Sequence, residues 1–308
     1  MQLLNGPPKG QKFHGGSIVM GNFDGLHLGH QSLIDRALLS ARPVTVVTFD
    51  PHPLQFLKPG LGLKRLFPKE VLEERLREKG IDVFLRLNFD RDLAALPAEE
   101  FWRVYVVEAF KPRAFVAGHD FGFGQGRSGN LAALKAWCAR DGVELHVCPA
   151  LEVDGAPVSS RRIREAVEKG DVALAGRLLG RPFFIRGEVI RGAGRGRGLG
   201  APTLNLRAEN ETVPAMGVYA TWAIWRGQRI RSVTNVGVNP TFGDATALKI
   251  ETHVLDRAVE ARGESVDVEF VRRLRPEMKF NSIEDLKKQI QSDILKAHEA
   301  LDLAQPHP

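Results

Sequence analysis

Apolar positions in the first half of the chain fall into short continuous runs separated by segments of helical spacing. Short runs bounded by turn residues predict buried strands at residues 17–20, 43–49, 83–87, 114–117 and 143–148. Apolar residues at helical spacing predict a helix over residues 31–39, and an opening proline with a closing glycine predicts one over 68–79. Two further helices are predicted over residues 99–110 and 131–140. This alternation indicates a parallel sheet with crossover helices, whose ligands bind beyond the carboxyl ends of the strands.

The second half of the chain has a different pattern. A short helix is predicted at 171–179, and the connector GRPF (180–183) follows it. Strand-like runs separated by turn residues then predict an antiparallel barrel or sandwich, with strands at 184–190, 218–225, 230–235, 248–255 and 266–271. Apolar residues from Ile283 to Leu301 recur at steps of three and four, which predicts a final amphipathic helix packed on the barrel. We therefore predict two domains, residues 1–182 and 183–308.

The composition fits this two-domain interpretation. A chain of 308 residues with 43% hydrophobic and 26% charged residues is typical of globular proteins of more than one domain. No apolar stretch approaches the roughly 18 residues of a membrane span, and the first ten residues do not resemble a signal peptide. A cytoplasmic protein is expected. Cys138 and Cys148 lack metal-ligand spacing and are predicted to be small, buried hydrophobic residues.

The net charge of +6 is compatible with nucleic acid, phosphorylated small molecules or an arginine-rich surface. The arginines cluster, however, at 161–164 and 186–197, and each cluster adjoins a turn rich in serine or glycine. This placement favours phosphate-bearing ligands over a diffuse basic surface.

The segment GNFDGLHLGH, residues 21–30, lies where a predicted strand gives way to a predicted helix. A helix start presents unpaired N–H groups and the positive end of the helix dipole, which together bind anions. His27 and His30 on the first turn can reach the same anion, and Gly25 and Gly29 allow close approach. Two histidines at this spacing would alone indicate only a glycine turn, but the full ten-residue pattern favours a phosphate site.

Two further segments leave alternatives open. GHDFGFGQGRSGN (118–130) follows a predicted strand and is either a loop that wraps a nucleotide or a flexible surface loop. VSSRRIR (158–164) opens a helix, where serines are common caps. Serines followed by arginines also suit a triphosphate, because hydroxyls and guanidinium groups both donate to phosphate oxygens.

The chemistry of the second half centres on RGAGRGRGLGAPTLNL, residues 191–206. Such a segment can be a disordered RNA-binding tract, but this one is short, unrepeated and continues directly into an apolar stretch, so a phosphate-cradling loop fits better. Thr203 and Asn205 alternate, so their oxygens lie on one side of an extended chain and suit Mg²⁺. Glu251 shares a strand face with His253 and is either a candidate base or part of a solvated polar face.

The first half of the chain resembles the adenylyltransferase domain of bacterial bifunctional FAD synthetases in four segments: GNFDGLHLGH (21–30), TFDPHP (48–53), GHDFGFG (118–124) and VSSRRIR (158–164). That domain belongs to the HxGH nucleotidyltransferases and has a Rossmann-like parallel sheet. The resemblance implies that His27 and His30 act on the ATP phosphates. Asp50 and Arg161 depart from the family, which usually has Glu and Thr or Ser there. The other nucleotide-binding residues it implies are Gly21, Asn22, Phe23, Asp24, Gly25, Gly29, Asp120, Ser159, Ser160 and Arg164.

The second half resembles riboflavin kinase through PTLN, MGVYA (216–220), NVGVNPTFG (235–243), ETHVLD (251–256) and LRPEMKF (274–280). That family has a small Greek-key β-barrel with a C-terminal helix. The resemblance implies that Thr203 and Asn205 hold Mg²⁺ and ATP, and that Glu251 is the base toward the ribityl 5′-hydroxyl. It also implies Gly194 and Arg197 as nucleotide ligands, and Asn235 and Arg275 as flavin ligands.

The resemblances together predict a bifunctional enzyme of FAD synthesis. ATP-dependent phosphorylation converts riboflavin to FMN in the C-terminal domain, and adenylylation then gives FAD and pyrophosphate in the N-terminal domain. Mg²⁺ is the expected cofactor, and the expected partners are riboflavin, FMN and ATP, with no nucleic acid or membrane. Two alternatives are a nucleotidyltransferase acting on another phosphate ester with a barrel that only binds, and a basic RNA-binding protein.

Overall fold

The chain forms two compact units in the computed structural model, which describes residues 1–6, 13–191, 203–240, 246–255, 257 and 259–304. The first unit comprises Met1–Lys64 and Lys69–Val158, and the second comprises Arg65–Pro68 and Ser159–Pro308. By these contacts, the helical residues 160–179 group with the second unit. The predicted domain division at residue 182 stays a prediction.

A parallel sheet forms the centre of the first unit. Its strands within the described residues are β1 Gln2–Leu4, β2 Ser17–Met20, β3 Val44–Asp50, β4 Val83–Asn88, β5 Ala114–Gly118 and β6 Glu144–Cys148. They pair in the order β1-β4-β3-β2-β5-β6, all parallel. Strand β2 therefore lies between β3 and β5, at the point where the chain changes direction across the sheet. A small antiparallel hairpin follows, with β7 Glu152–Val153 and β8 Ala156–Pro157.

The helices of the first unit connect these strands, as the sequence predicts. Within the described residues they are α1 Leu28–Ser40, α2 Pro53–Leu57, α3 Lys69–Glu78, α4 Arg91–Ala95, α5 Ala98–Phe101 and α6 Leu131–Asp141. The predicted helix over 99–110 is present, but Trp102–Glu108 winds as a π-helix. This wider turn buries both Trp102 and Val106, and Trp102 Nε1 donates to Asp141 Oδ2 at 2.7 Å.

Both faces of the sheet are buried, which explains why its strands are continuously apolar. Alternate residues of β2 contact different clusters: Ile18 packs with Trp102, and Val19 packs with Ile34. Cys138 lies in the first cluster, and burial raises the pKa of its thiol to about 12. That cysteine is a small buried hydrophobic residue, as predicted, whereas Cys148 is only half-buried.

An antiparallel barrel forms the centre of the second unit. In the described residues it closes in the order β10-β13-β12-β11-β14-β9. The chain skips strands between β10 and β11 and again between β13 and β14, as in a Greek key. The strands are β9 Phe183–Ile190, β10 Thr203–Ala208, β11 Gly217–Trp225, β12 Gln228–Pro240, β13 Thr246–Val254 and β14 Ser265–Arg275.

The barrel interior holds a chain of buried hydroxyl groups. Thr221 Oγ1 lies 2.8 Å from both Ser232 Oγ and Thr234 Oγ1, and Thr234 Oγ1 lies 2.9 Å from Thr252 Oγ1. All four residues are fully buried, so these hydrogen bonds replace the lost contacts with water. They also identify the inward face of β13, because Glu251 and His253 project to the other side.

Three helices complete the second unit within the described residues: α7 Ser160–Glu168, α8 Val172–Leu179 and α9 Ile283–Leu303. Helix α9 buries Ala297, Ala300 and Leu301 against Val218 and Ala220 of β11. The predicted packing of the final helix on the barrel is therefore confirmed.

Candidate active sites

The turn between β2 and α1 carries the GNFDGLHLGH motif of the first unit. Its apolar residues explain its shape: Phe23 and Leu26 are 1% and 3% exposed and fill the core beneath the turn. Both have left-handed backbone conformations, with φ of 51° and 42°, which burial of their side chains stabilises. Gly21 N donates to Val47 O at 3.1 Å, and Thr48 Oγ1 donates to Asn22 O at 3.2 Å, so β3 fixes the start of the turn.

The two motif histidines are stacked at the start of α1. Their ring centroids lie 3.6 Å apart with an interplanar angle of 19°. His27 is the N-cap, and its Nδ1 accepts from the backbone N–H of His30 at 3.3 Å. This bond requires a lone pair on Nδ1, so Nε2 is the nitrogen of His27 that carries a proton.

Glycine at position 29 makes this stack possible. A Cβ on Gly29 would lie 3.2 Å from both Cε1 and Nδ1 of the His27 ring. A larger residue would therefore push the ring out of its capping position. The absence of a side chain at Gly29 therefore leaves room for the His27 ring, in addition to allowing a ligand to approach the backbone.

His30 is held in its neutral form. Its Nδ1 is buried and has no hydrogen-bond partner among the described residues, while the ring of Phe23 packs edge-on at 5.2 Å. Burial, and to a smaller extent His27, hold the pKa of His30 well below its usual value of 6.5. Near neutral pH the helix start therefore offers the uncharged imidazole of His30 beside the backbone N–H groups of its first turn.

The other motif residues of the first unit lie at the same edge of the sheet. Asp50 ends β3, and the exposed Asp120 follows β5, so both lie at the carboxyl ends of the strands that flank β2. The predicted nucleotide residues Gly21, Asn22, Asp24 and Gly25 all lie in the turn after β2. The switch point of a parallel sheet is where such sheets bind ligands.

A group of aromatic rings at this edge was not predicted from the sequence. Phe49 lies 5.8 Å from Phe89, which lies 5.6 Å from Phe56, and Phe101 stacks on Tyr105 at 4.9 Å. Phe49, Phe56 and Phe89 are only half-buried. The available signal was that Phe49 and Phe89 sit at or just after the carboxyl ends of neighbouring strands, β3 and β4.

The predicted triphosphate residues Ser159, Ser160 and Arg164 lie at the start of α7, which groups with the second unit. Ser159 is the N-cap and accepts from Arg162 N at 3.3 Å, so the capping interpretation holds for this residue. Arg161 Nε donates to Glu165 Oε1 at 2.9 Å on the exposed face of the helix. Arg161, which departs from the family pattern, thus pairs within its own helix.

The second unit carries its predicted chemistry on the outer face of the barrel. Asn205 on β10 and Asn235 on β12 are both paired with Glu251 on β13, so the three residues form a row across adjacent strands. Thr203 pairs with His253 one step along. The sheet register thus brings together the residues predicted to bind magnesium, flavin and the reacting hydroxyl. Gly194 and Arg197 lie outside the described residues.

A cavity of about 310 Å³ opens beside this row. Its wall combines polar and apolar residues of the barrel, of α9 and of the segment before that helix. The polar lining residues include Thr203, Asn235, Lys249, Glu251, His253, Arg275, Glu277 and Asp293. Val218, Val233, Met278, Phe280, Leu286, Ile290 and Ile294 supply the apolar surface. A mixed wall of this kind suits a flat apolar ligand with a polar chain.

Arg275, predicted to bind flavin, is also part of an ion pair between β14 and α9. Its Nε and Nη2 donate to the Asp293 carboxylate at 2.8 to 3.1 Å, and Gln289 Nε2 donates to Asp293 Oδ1 at 2.8 Å. The Arg275 and Asp293 side chains are 14% and 4% exposed. Arg275 thus holds α9 against the cavity. Sequence analysis missed Asp293 because no local pattern links it to β14.

These two arrangements define a class of protein. A parallel sheet whose switch-point turn opens a helix with two histidines is typical of nucleotide-binding α/β domains. A barrel cavity with a carboxylate beside hydroxyl and amide oxygens suits transfer to a substrate hydroxyl. The chain is a two-part, nucleotide-dependent transferase.

Comparison with known proteins gives the family. A model described as FAD synthetase matches residues 10–162, and one described as riboflavin kinase matches residues 179–301. The bifunctional riboflavin kinase/FMN adenylyltransferase of Escherichia coli (strain K12) is 34% identical, with 94% of each chain covered. That of Bacillus subtilis (strain 168) is 35% identical, with 90% of this chain and 89% of the relative covered. The chain belongs to the bifunctional riboflavin kinase/FMN adenylyltransferase family, which confirms the predicted resemblance.

A solved structure is also similar over most of the chain. The crystal structure of a Streptococcus pneumoniae protein described as a macrolide-efflux protein is 33% identical, with a TM-score of 0.86 and 92% of this chain and 94% of that chain covered. Its description differs from those of the family models and curated relatives that match the same residues. Across the described residues, no helix has both the length and the apolar character that a membrane span requires.

Proposed function

We propose that the two activities of this family are divided between the two units. The barrel unit transfers the γ-phosphoryl group of ATP to riboflavin, giving FMN and ADP. The parallel-sheet unit transfers AMP from a second ATP to FMN, giving FAD and pyrophosphate. The observation that carries the division is that Glu251, a carboxylate suited to deprotonating a hydroxyl, lies in the barrel cavity, whereas the first unit presents two stacked histidines at a helix start, with His30 in its neutral form.

In the barrel, Glu251 is the proposed base. It accepts the proton of the ribityl 5′-hydroxyl as that oxygen attacks the γ-phosphorus and the bond to ADP breaks. Asn235 and Arg275 contact the flavin from the same cavity, and the apolar residues of α9 cover the ring. The cross-strand row supports this assignment, because it places Asn205 and Asn235 on either side of the base.

Thr203 and Asn205 are the proposed Mg²⁺ ligands. Asn205 Nδ2 points toward Thr203 O at 3.5 Å, which leaves the amide oxygen for a cation. A hydroxyl and an amide oxygen are the hard ligands that Mg²⁺ prefers, and few protein ligands suffice because the ion keeps waters and phosphate oxygens. When bound, Mg²⁺ neutralises charge on the ATP phosphates.

In the first unit no protein base is needed, because the phosphate of FMN is already ionised near neutral pH. One of its oxygens attacks the α-phosphorus of ATP as pyrophosphate departs. His27, through Nε2–H, and His30 stabilise the charge that develops on the phosphate oxygens, together with the N–H groups of α1. Asp120 is the proposed neighbour of the nucleotide. The triphosphate roles of Ser159, Ser160 and Arg164, which group with the second unit, stay predictions from the sequence.

The flavin of FMN has a proposed binding surface in the first unit. The half-buried rings of Phe49, Phe56 and Phe89 lie at the carboxyl ends of β3 and β4. A flat isoalloxazine ring packs well against aromatic rings at such a surface.

The test is to incubate the purified protein with riboflavin, ATP and Mg²⁺ and to separate the flavins over time. We expect FMN to appear first and FAD after it. A sample that converts FMN to FAD but never makes FMN would favour a barrel that only binds. Tight RNA binding with a steep salt dependence and no flavin product would instead favour the RNA-binding alternative.

A further inference from the structure

Lys249 and Glu251 form an ion pair in the wall of the barrel cavity. The two residues are separated by one position on β13, so their side chains project from the same face of the strand. Lys249 Nζ lies 2.7 Å from Glu251 Oε2, with side chains 24% and 25% exposed. Lys249 is the partner that Glu251 has among the described residues, which leaves Oε1 to accept a proton.

Lys249 is the cation available to this carboxylate. The other strong cation of the cavity wall, Arg275, is engaged by Asp293. A second carboxylate lies close by: Glu277 Oε1 would be 2.3 Å from a Cβ at Gly237, the residue that pairs with Lys249 across β12 and β13. Without Lys249, two carboxylates would share this wall with no ammonium group beside them.

A general base must present its lone pair to the substrate in one defined direction, and a free glutamate has several rotamers. An ammonium bound to one carboxylate oxygen removes much of that freedom. We propose that Lys249 is a positioning residue for riboflavin phosphorylation, holding Glu251 Oε2 so that Oε1 faces the ribityl hydroxyl. This rests on the proposed role of Glu251. The proton moves from the hydroxyl to Oε1 as the new oxygen–phosphorus bond forms and the bond to ADP breaks.

Steady-state kinetics of FMN formation tests the proposal with Lys249→Met and Lys249→Arg. We expect Lys249→Met to lower kcat about 10-fold, the size of effect that a misplaced catalytic group can cause, with KM for ATP changed less than about twofold. Lys249→Arg keeps a cation and should recover most of kcat. Lys287→Met, on the exposed face of α9, is the matched control and should behave as the unaltered protein. Conversion of FMN to FAD by each sample checks that the protein is intact.

Three results would overturn the proposal. An unchanged kcat in Lys249→Met would remove the positioning role. A raised KM for ATP at unchanged kcat would make Lys249 a phosphate ligand instead. A Lys249→Arg protein as slow as Lys249→Met would show that charge is not what matters. If Lys249→Met does not fold, Lys249→Gln replaces it with the same criteria.

Failure of the underlying function is distinguishable from failure of this inference. Glu251→Gln is measured in parallel: full activity there removes the base and, with it, the role of Lys249. An inactive Glu251→Gln beside a fully active Lys249→Met removes the positioning role alone.

Discussion

The two units build their sites in different ways. In the first unit, the main motif of the candidate site is ten consecutive residues, where a strand ends and a helix begins. Many of the groups that could bind a phosphate there are backbone N–H groups. The second unit gathers single residues from strands and a helix that are far apart in the chain, such as Thr203, Glu251 and Asp293. The first site presents the N–H groups of a helix start and the neutral imidazole of His30, whereas the second holds paired charges. A site built from consecutive residues can be predicted from the sequence. A site built from distant residues depends on how the strands pair, which the sequence does not show directly.

The proposed difference between the two sites predicts its largest effect for the variant Glu251→Gln. Loss of the base should slow FMN formation by about 10² to 10⁴-fold, while the rate of FAD formation from supplied FMN stays within twofold of the unaltered protein. Separation of flavins by chromatography measures both steps. Glu264→Gln is the control, because Glu264 is a barrel carboxylate paired with Arg226 away from the cavity. If Glu251→Gln slowed both steps equally, the proposal that each unit performs one of the two reactions would be wrong.

The reciprocal change is His30→Ala. Removing one donor to the developing charge should slow adenylylation of FMN by about 10² to 10³-fold and leave riboflavin phosphorylation unchanged. His146→Ala, on the edge strand β6 of the same unit, should retain both rates. A His30→Ala protein that adenylylates FMN at the normal rate would refute the role of the stacked histidines.

The assembled site also predicts a stability effect that the local site does not. Asp293→Ala leaves the nearly buried Arg275 guanidinium without its carboxylate, which should lower the free energy of unfolding of the second unit by about 3 to 5 kcal/mol. Hydrogen exchange in β14 and α9 under increasing urea measures it. Asp302 lies on the same helix, and Asp302→Ala removes its exposed ion pair with Arg231 of β12, which should cost less than about 1 kcal/mol. Equal costs for the two variants would contradict the stabilisation assigned to the Arg275–Asp293 ion pair.

Gly29→Ala tests whether adenylylation depends on the exact position of the His27 ring. The added methyl group meets the His27 ring, so we expect the ring to shift by a few tenths of an ångström and adenylylation to fall about 10-fold. Riboflavin phosphorylation should not change. Gly60→Ala is the matched control, since nothing lies within 4 Å of a Cβ at that position. Full adenylylation by Gly29→Ala would mean that the stacked geometry is not required.

The smallest expected effect is a pH dependence of the first unit. The folded pKa of His30 is depressed, so the unfolded chain binds a proton near pH 6.5 that the folded protein does not. Stability is therefore complete above about pH 6.5 and declines as the pH falls below it, by at most about 1.4 kcal/mol per pH unit. Urea unfolding of the unaltered protein and His30→Gln between pH 7.5 and 5.5 measures the slope. An identical slope in both would exclude His30 as its source, and His119→Gln is the control.

Some of this molecule follows from sequence alone. The apolar runs predicted most of the barrel and five of the six described strands of the parallel sheet, but not the edge strand β1, because burial on one or both faces fixes the periodicity of a strand. The motif at residues 21–30 predicted an anion site for a local reason: a helix start always exposes N–H groups, whatever the rest of the fold. The family resemblance named the two activities, and the comparisons confirmed that family. Individual site roles, including the Mg²⁺ ligands, stay predictions.

Other features were decided only by tertiary structure. The stacking of His27 on His30 depends on the space that Gly29 leaves and on the core that Phe23 and Leu26 fill. The row of Asn205, Glu251 and Asn235 exists because of strand register, and a shift of one residue would turn Glu251 into the barrel interior. Lys249 and Asp293 gained their places in the cavity from cross-strand and helix packing. Sequence thus determined most of the elements and the local motif that predicts an anion site, whereas long-range packing, which brings distant charges to contact distance, determined the arrangement of the second site.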